Sequence, residues 1–341
     1  MLPLLRRFGP LLVAAVALAL AVRGIDLQKL AAATRGAPLV PLIGVSAIAA
    51  LVNCAADTFA MYYVFRWFGL HLRYVDLYTI RAATYTLAVL NYHAGQAGII
   101  GYLNRVGRVP LARASAYILF IIGVWVALLL LFAGGSLLLG GDKARALAPV
   151  LVAFFVGLIA YLILITWPPR FLLHPPAASA DAGDEAPSQR LRSRLLRVLV
   201  NLWAPLHEAG ALGHLRALVV RLPHLFVLLC WHYFALRCFR VEVPPLVAAL
   251  YLPVVFAIAS LPISVQGLGT SQIAAVYFFR DYAAAGDESV LAYSLTMTAI
   301  ATASNLGMGL LFLGRGARLG LRDMAESASR ELDQSDTQRA S

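Results

Sequence analysis

Asp57 stands in "LVNCAADTFAMYY", a carboxylate inside a run that is otherwise almost entirely apolar. An ionisable group at such depth is expensive unless it faces an interior cavity or a partner. Asp57 is therefore the leading candidate for a proton or cation site, with a locally hydrogen-bonded structural role as the alternative. A protonated, neutral form is admissible, because desolvation disfavours the charged one. Arg81 and His93 flank the first interrupted helix, in "YVDLYTIRAATYTLAVLNYHAGQAGIIGYLNRVGRVP". Arg81 suits a bidentate contact to a lipid phosphate or a snorkelling position at the interface. His93 suits titration near neutrality or capping of free backbone. Around it lie Asn91, Gly95, Gln96 and Gly98, followed by Arg105. In "SLPISVQGLGTSQ" (260–272), Gln266, Gly267, Gly269, Ser271 and Gln272 supply uncharged donors and acceptors on flexible chain. Asn305 is placed to bridge helices, as polar residues in membrane bundles often do.

Other chemistry is poorly represented. His71 and Asp76 match the H-x4-D spacing of membrane acyltransferases, but no acyl-acceptor motif follows and the match reads as coincidence. There is no P-loop, HExxH or GxSxG. Cys54, Cys230 and Cys238 form neither a CxxC pair nor a Cys/His cluster, which leaves no zinc site or disulfide framework to expect. No cofactor, metal or enzymatic activity is expected.

The elements that must position these groups are membrane helices. Of the 341 residues 61% are hydrophobic and 13% charged, about half the charge of a soluble domain. The pattern predicts an all-α polytopic protein with six full spans, near 8–22, 39–65, 111–139, 146–167, 222–239 and 289–313. Two interrupted segments, 75–108 and 246–279, complete it. Domain boundaries follow: a first span and interfacial helix (1–38), a membrane repeat (39–168), a cytosolic linker and basic amphipathic helix (169–221), a second repeat (222–314) and a polar tail (315–341). Arg6 and Arg7 before the first apolar run suit an uncleaved span, with a signal peptide as the alternative. The five Trp suit interfacial anchoring or packing.

The net charge of +11 comes from Arg-rich loops, which points to cytoplasmic loops and anionic headgroups and not to nucleic acid. Arg66, Arg73, Arg105, Arg108, the Arg190–Arg197 cluster, Arg315, Arg318 and Arg322 fall on one side if both ends are cytoplasmic. Arg237 and Arg240 are the poor fit. The expected location is the inner membrane.

"FRWFGL" (65–70) resembles "LRCFRV" (236–241), and the same offset of 171 carries Gly98 onto Gly269. Three crossings separate the two copies, so the second is inverted, as in many secondary transporters. Irregular backbone at depth survives only inside protein or facing water. Breaks at 91–98 and 262–269 therefore predict two re-entrant hairpins around a polar hollow, with kinked structural helices as the alternative.

"LNYHAGQAGIIGYLNRVGRVPLARASAYIL" and "SLPISVQGLGTSQIAAVYFF" resemble the two signature regions of the lysylphosphatidylglycerol synthase/flippase transmembrane family, over roughly 5–315. The resemblance implies a module that moves lipids or lipid-linked groups between leaflets. Departures are plain: Tyr92-His93-Ala94-Gly95 stands where the family tends to have Pro-Gly, no acid follows Gly98, and Gln266 and Gln272 replace a Gly and a Glu. The missing acids speak against a cationic headgroup. No large polar segment follows 315, so aminoacyl transfer is not expected.

The expected function is flippase-like transport of an anionic phospholipid or lipid-linked substrate. Two alternatives stay open: a membrane scaffold for a cytosolic glycosyltransferase or lipid-modifying enzyme, docked through 185–221, and a membrane-embedded lipid-modifying enzyme.

Overall fold

The computed structural model describes residues 16, 18–23, 25–90, 92–138, 142–167, 187–260 and 267–339. They are helical: α1 (Leu27–Gly36), α2 (Leu39–Trp67), α3 (Tyr74–Leu90), α4 (Tyr92–Arg105), α5 (Leu111–Leu138), α6 (Asp142–Thr166), α7 (Pro187–Cys238), α8 (Pro245–Ser260), α9 (Thr270–Phe279) and α10 (Asp287–Arg339). No strand occurs among the described residues, only an isolated bridge between Val241 and Ala283. Among the described residues, four stretches are long and apolar enough to cross a membrane: Leu39–Trp67, Leu111–Leu137, Val198–Cys238 and Asp287–Leu319. Most of the expected first span, the linker at 170–186, Asn91 and residues 261–266 lie outside the described residues.

The centre of the bundle is an antiparallel pair, α2 and α7. Trp231 Nε1 donates to Ser46 Oγ at 2.8 Å near one end, and Arg221 meets Asp57 further along. Rising residue numbers on α2 thus face falling numbers on α7. Both Ser46 and Trp231 are buried, so Trp231→Phe leaves the hydroxyl without its donor. The expected cost is about 1–3 kcal/mol, read as a lower thermal unfolding midpoint in detergent.

Each central helix is followed by a short hairpin. After α2 the chain turns through Phe68–Arg73 into α3 and returns along α4. Gly95 and Gly98 of α4 lie against Ala88 and Thr84 of α3, where an added Cβ would come within 2.8 Å of Ala88 Cβ and 2.7 Å of Thr84 Cγ2. Leu77 and Leu103 share one apolar cluster with Phe65 and Val109, so this hairpin begins and ends beside the C-terminal end of α2. At 17 and 14 residues, its arms are about 25 and 21 Å long at 1.5 Å per residue, short of a ~30 Å hydrocarbon core.

The second hairpin follows α7. Glu242 N–H donates to Tyr282 O at 2.7 Å beside the Val241–Ala283 bridge, tying its two feet together. Tyr251 of α8 packs on Phe278 of α9 with ring centroids 4.8 Å apart. Ala37 and Leu42, at the start of α2, share a cluster with Phe239 and Val241 at the end of α7. Because α2 and α7 are antiparallel, the two hairpins are rooted at opposite ends of the bundle.

α10 runs past both hairpins. Gln272 Nε2 donates to Thr298 Oγ at 3.0 Å, and Gly309 lies against Thr86 of the first hairpin. These two positions are roughly 16 Å apart along the helix, which brings the far halves of both hairpins to one stretch of α10.

One expectation needs correction. Residues 92–98, expected to interrupt the first segment, are helix, as part of Tyr92–Arg105. Gly95 and Gly98 serve close packing of α4 on α3 and do not break the chain. α7 runs unbroken through 221/222, where the fifth span was expected to begin. The bend in α7 lies instead at Gly210, where φ is 57° and ψ −176°. Around it, His214 Nδ1 is 2.6 Å from Gly210 O and its Nε2 is 2.8 Å from Tyr161 Oη.

Candidate functional site

Asp57 is 1% exposed, two-thirds of the way along α2. Arg81 Nε, from α3, donates to Asp57 Oδ2 at 2.5 Å. Arg221, from α7, forms an ion pair with the other carboxylate oxygen. His224, one helical turn beyond Arg221, places Nδ1 3.5 Å from Asp57 Oδ1. All four side chains are buried. Two guanidinium partners suit the carboxylate and not the neutral acid, so the protonated Asp57 admitted from the sequence gives way to an anion. Arg81 does not snorkel: it points inward because its counter-charge is there.

Aromatic faces complete the shell. The Arg81 guanidinium carbon lies 4.7 Å from the centre of the Tyr85 ring, and that of Arg221 lies 5.2 Å from Trp125 on α5. His224 meets the same indole edge-on, centroids 4.8 Å apart. Such contacts are worth about 0.5–2 kcal/mol and hold a cation where water is scarce. Arg221 Nε, Thr58 Oγ and Asn53 Oδ1 are nevertheless buried without a hydrogen-bond partner among the described residues. Unpaired buried polar atoms of this kind are uncommon and each asks for a reason.

The surroundings of the cluster differ along α2 and α7. Toward residues 208–216 of α7 lies a cavity of about 440 Å³ lined by Trp67, Phe68, Phe120, Glu208, Leu212 and Arg216. Arg113 holds Glu208 through contacts of 2.8 and 3.0 Å. Toward residues 226–234 lies an apolar groove of about 420 Å³ between α2 and α7, with Val45, Ile48, Val52, Phe226, Cys230 and Phe234 on its walls. The charged cluster sits between the two.

The structure joins Asp57 and Arg81 directly and assigns the other expected residues elsewhere. Gly95 and Gly98 hold the first hairpin closed, and Gln96 is buried on the same helix. Gly267, Gly269, Ser271 and Gln272 form their own network. Gly267 and Gly269 take φ of 72° and 84°, a left-handed conformation that favours glycine. Ser271 Oγ donates to Gly267 O at 2.8 Å, and Gln272 Oε1 accepts from Gly269 N–H at 2.6 Å. This satisfies the Gly269 N–H and the Ser271 hydroxyl within the second hairpin, while Gln272 Nε2 turns to Thr298 of α10. Asn305 is half-buried on α10, and Arg105 is exposed at the end of α4. Asn91, Gln266 and the side chain of His93 lie outside the described residues.

Arg221, His224 and Trp125 did not emerge from the sequence as site residues. Their signal was faint: an R-x-x-H step on one helical face at the edge of the apolar run "VVRLPHLFVLLC". Arg221 read as the last residue of the basic segment because a window counts charge and not its partner.

No family model matches the chain, no curated protein is similar to it, and no solved structure is similar to it.

Proposed function

We propose that the chain is a flippase-like membrane transporter that moves an anionic phospholipid or lipid-linked group between leaflets. One observation carries this reading: a polar and aromatic cavity, a buried cation-rich cluster and an apolar groove follow one another along the α2–α7 seam. That order matches an amphiphile, with the headgroup in the cavity, its phosphate at the arginines and an acyl chain in the groove. Buried arginines are the side chains best suited to a phosphate, since the planar guanidinium fork meets two of its oxygens.

In this reading α3–α4 and α8–α9 are re-entrant hairpins of an inverted repeat within six full spans, and alternating exposure of the cluster carries the headgroup across. Their attachment at opposite ends of the bundle favours it. The resemblance of residues 90–119 and 260–279 to the lysylphosphatidylglycerol synthase/flippase transmembrane family points the same way, as does the Arg-rich loop pattern of an inner-membrane protein with both ends cytoplasmic.

Purified protein in liposomes containing a fluorescent phosphatidylglycerol tests it. Protein-dependent movement of the probe between leaflets is expected, and Arg221→Gln lowers the rate by about tenfold or more. Absence of movement from a folded, reconstituted chain overturns the reading.

A further inference from the structure

Among the described residues, the charges of α2, α3 and α7 that meet at Asp57 do not balance. α2 contributes the Asp57 carboxylate, α3 the Arg81 guanidinium, and α7 the Arg221 guanidinium with the His224 imidazole 3.5 Å from Asp57. α5 contributes the neutral indole of Trp125, and the Tyr85 ring covers Arg81. Among the described residues this is two cations against one anion, with the imidazole as a neutral partner. A single uncompensated charge in a site of low polarity is costly. Arg221 still has a buried Nε without a hydrogen-bond acceptor among the described residues.

From this inequality we infer that Asp57 is a specificity-determining residue: by cancelling one of the two guanidinium charges it tunes the site to a phosphate bearing a single negative charge, a phosphodiester, and against phosphomonoesters and diphosphates. The inference rests on the lipid-transport reading above and names the substrate class within it. A phosphodiester brings the cluster to neutrality. A phosphomonoester carries about −1.5 to −2 charges at pH 7 and drives the cluster negative, with Asp57 as the near and repelling neighbour. Glycerophospholipids with an intact headgroup are diesters. Phosphatidic acid and polyprenyl monophosphates are monoesters.

Charge counting gives a graded test. Wild type and three variants are reconstituted in liposomes with fluorescent phosphatidylglycerol or fluorescent phosphatidic acid at about pH 7.5, where the monoester is mostly dianionic. Wild type moves the diester faster. Asp57→Asn keeps the shape and adds one positive charge, so the preference shifts toward the monoester by about tenfold or more, the scale of one unit charge a few ångströms away at an effective dielectric of about 20. Arg221→Gln leaves no excess charge and slows both probes. The double variant Asp57→Asn/Arg221→Gln has the wild-type excess, and the diester preference returns. Its return also separates a charge effect from damage to the fold, which each protein's gel-filtration profile in detergent reports directly.

An unchanged diester-to-monoester ratio in Asp57→Asn, with transport intact in wild type, overturns the role of Asp57 and leaves the transport reading standing. No movement of either lipid by folded wild type overturns the transport reading itself. A millimolar water-soluble diester, glycerophosphoglycerol, leaves lipid movement unchanged because it cannot fill the apolar groove. Full competition by it makes the ligand a free anion and overturns the lipid assignment.

Discussion

Asp57→Ala lowers the stability of the protein by about 3–5 kcal/mol, because it leaves two arginines buried with no carboxylate between them. Arg81 and Arg221 are each 6–7% exposed, and neither helix can turn its guanidinium toward water without losing the contact with Tyr85 or Trp125. A drop of roughly 5–10 °C in the thermal midpoint in detergent is the expected readout. The cause is electrostatic, and a second set of variants identifies it. Replacing Asp57, Arg81 and Arg221 together by apolar residues of similar volume costs less than Asp57→Ala alone, since a complete buried ion cluster contributes little net stability. Asp57→Ala and Arg221→Met also combine with less than additive cost, as contacting partners do in a double-mutant cycle. Additive costs, or a triple variant less stable than Asp57→Ala, contradict the pairing of these charges.

The second large effect concerns α3 and α10, which meet backbone to backbone. A Cβ at Gly309 would stand 2.2 Å from Thr86 Oγ and 2.6 Å from its backbone nitrogen, so no side chain fits without separating the helices. Gly316, two turns further along α10, has its own contact, with Ala83 Cβ at 2.9 Å. Small residues at such crossings allow the close approach that drives helix association in membranes. Gly309→Leu is expected to cost at least about 1–3 kcal/mol, and more if the rigid backbone of α3 does not yield. Gly307, whose added Cβ would meet nothing within 4 Å, is the matched control: Gly307→Leu leaves the thermal midpoint close to wild type. Equal losses at the two glycines would refute the close crossing. On the proposed transport function, Gly309→Leu is also expected to slow lipid movement in liposomes, because α3 carries Arg81 and its displacement draws that guanidinium from Asp57.

Apolar length and the scarcity of charge determined, from the sequence alone, that long membrane-suited helices make up this chain, since a bilayer-length apolar run has few other stable solutions. The sequence likewise marked Asp57 and Arg81, because a charge within an apolar run is conspicuous by its cost. The irregular backbone at Gly267 and Gly269 was legible from Gly and Gln in oily surroundings. The helical state of 92–98 was not, because glycine serves irregular backbone and tight helix packing equally well, and Gly95 and Gly98 do the second. Tertiary structure alone decided that Arg221 and His224, more than 160 residues from Asp57 in the chain, complete the charged site. The antiparallel pairing of α2 with α7 sets that register, and no local window contains both helices. It also turned Trp125 from an apparent interfacial anchor into the face that covers Arg221. A residue's cost of burial can be read from its own neighbours in sequence, whereas the charge that offsets it depends on which helix lies alongside.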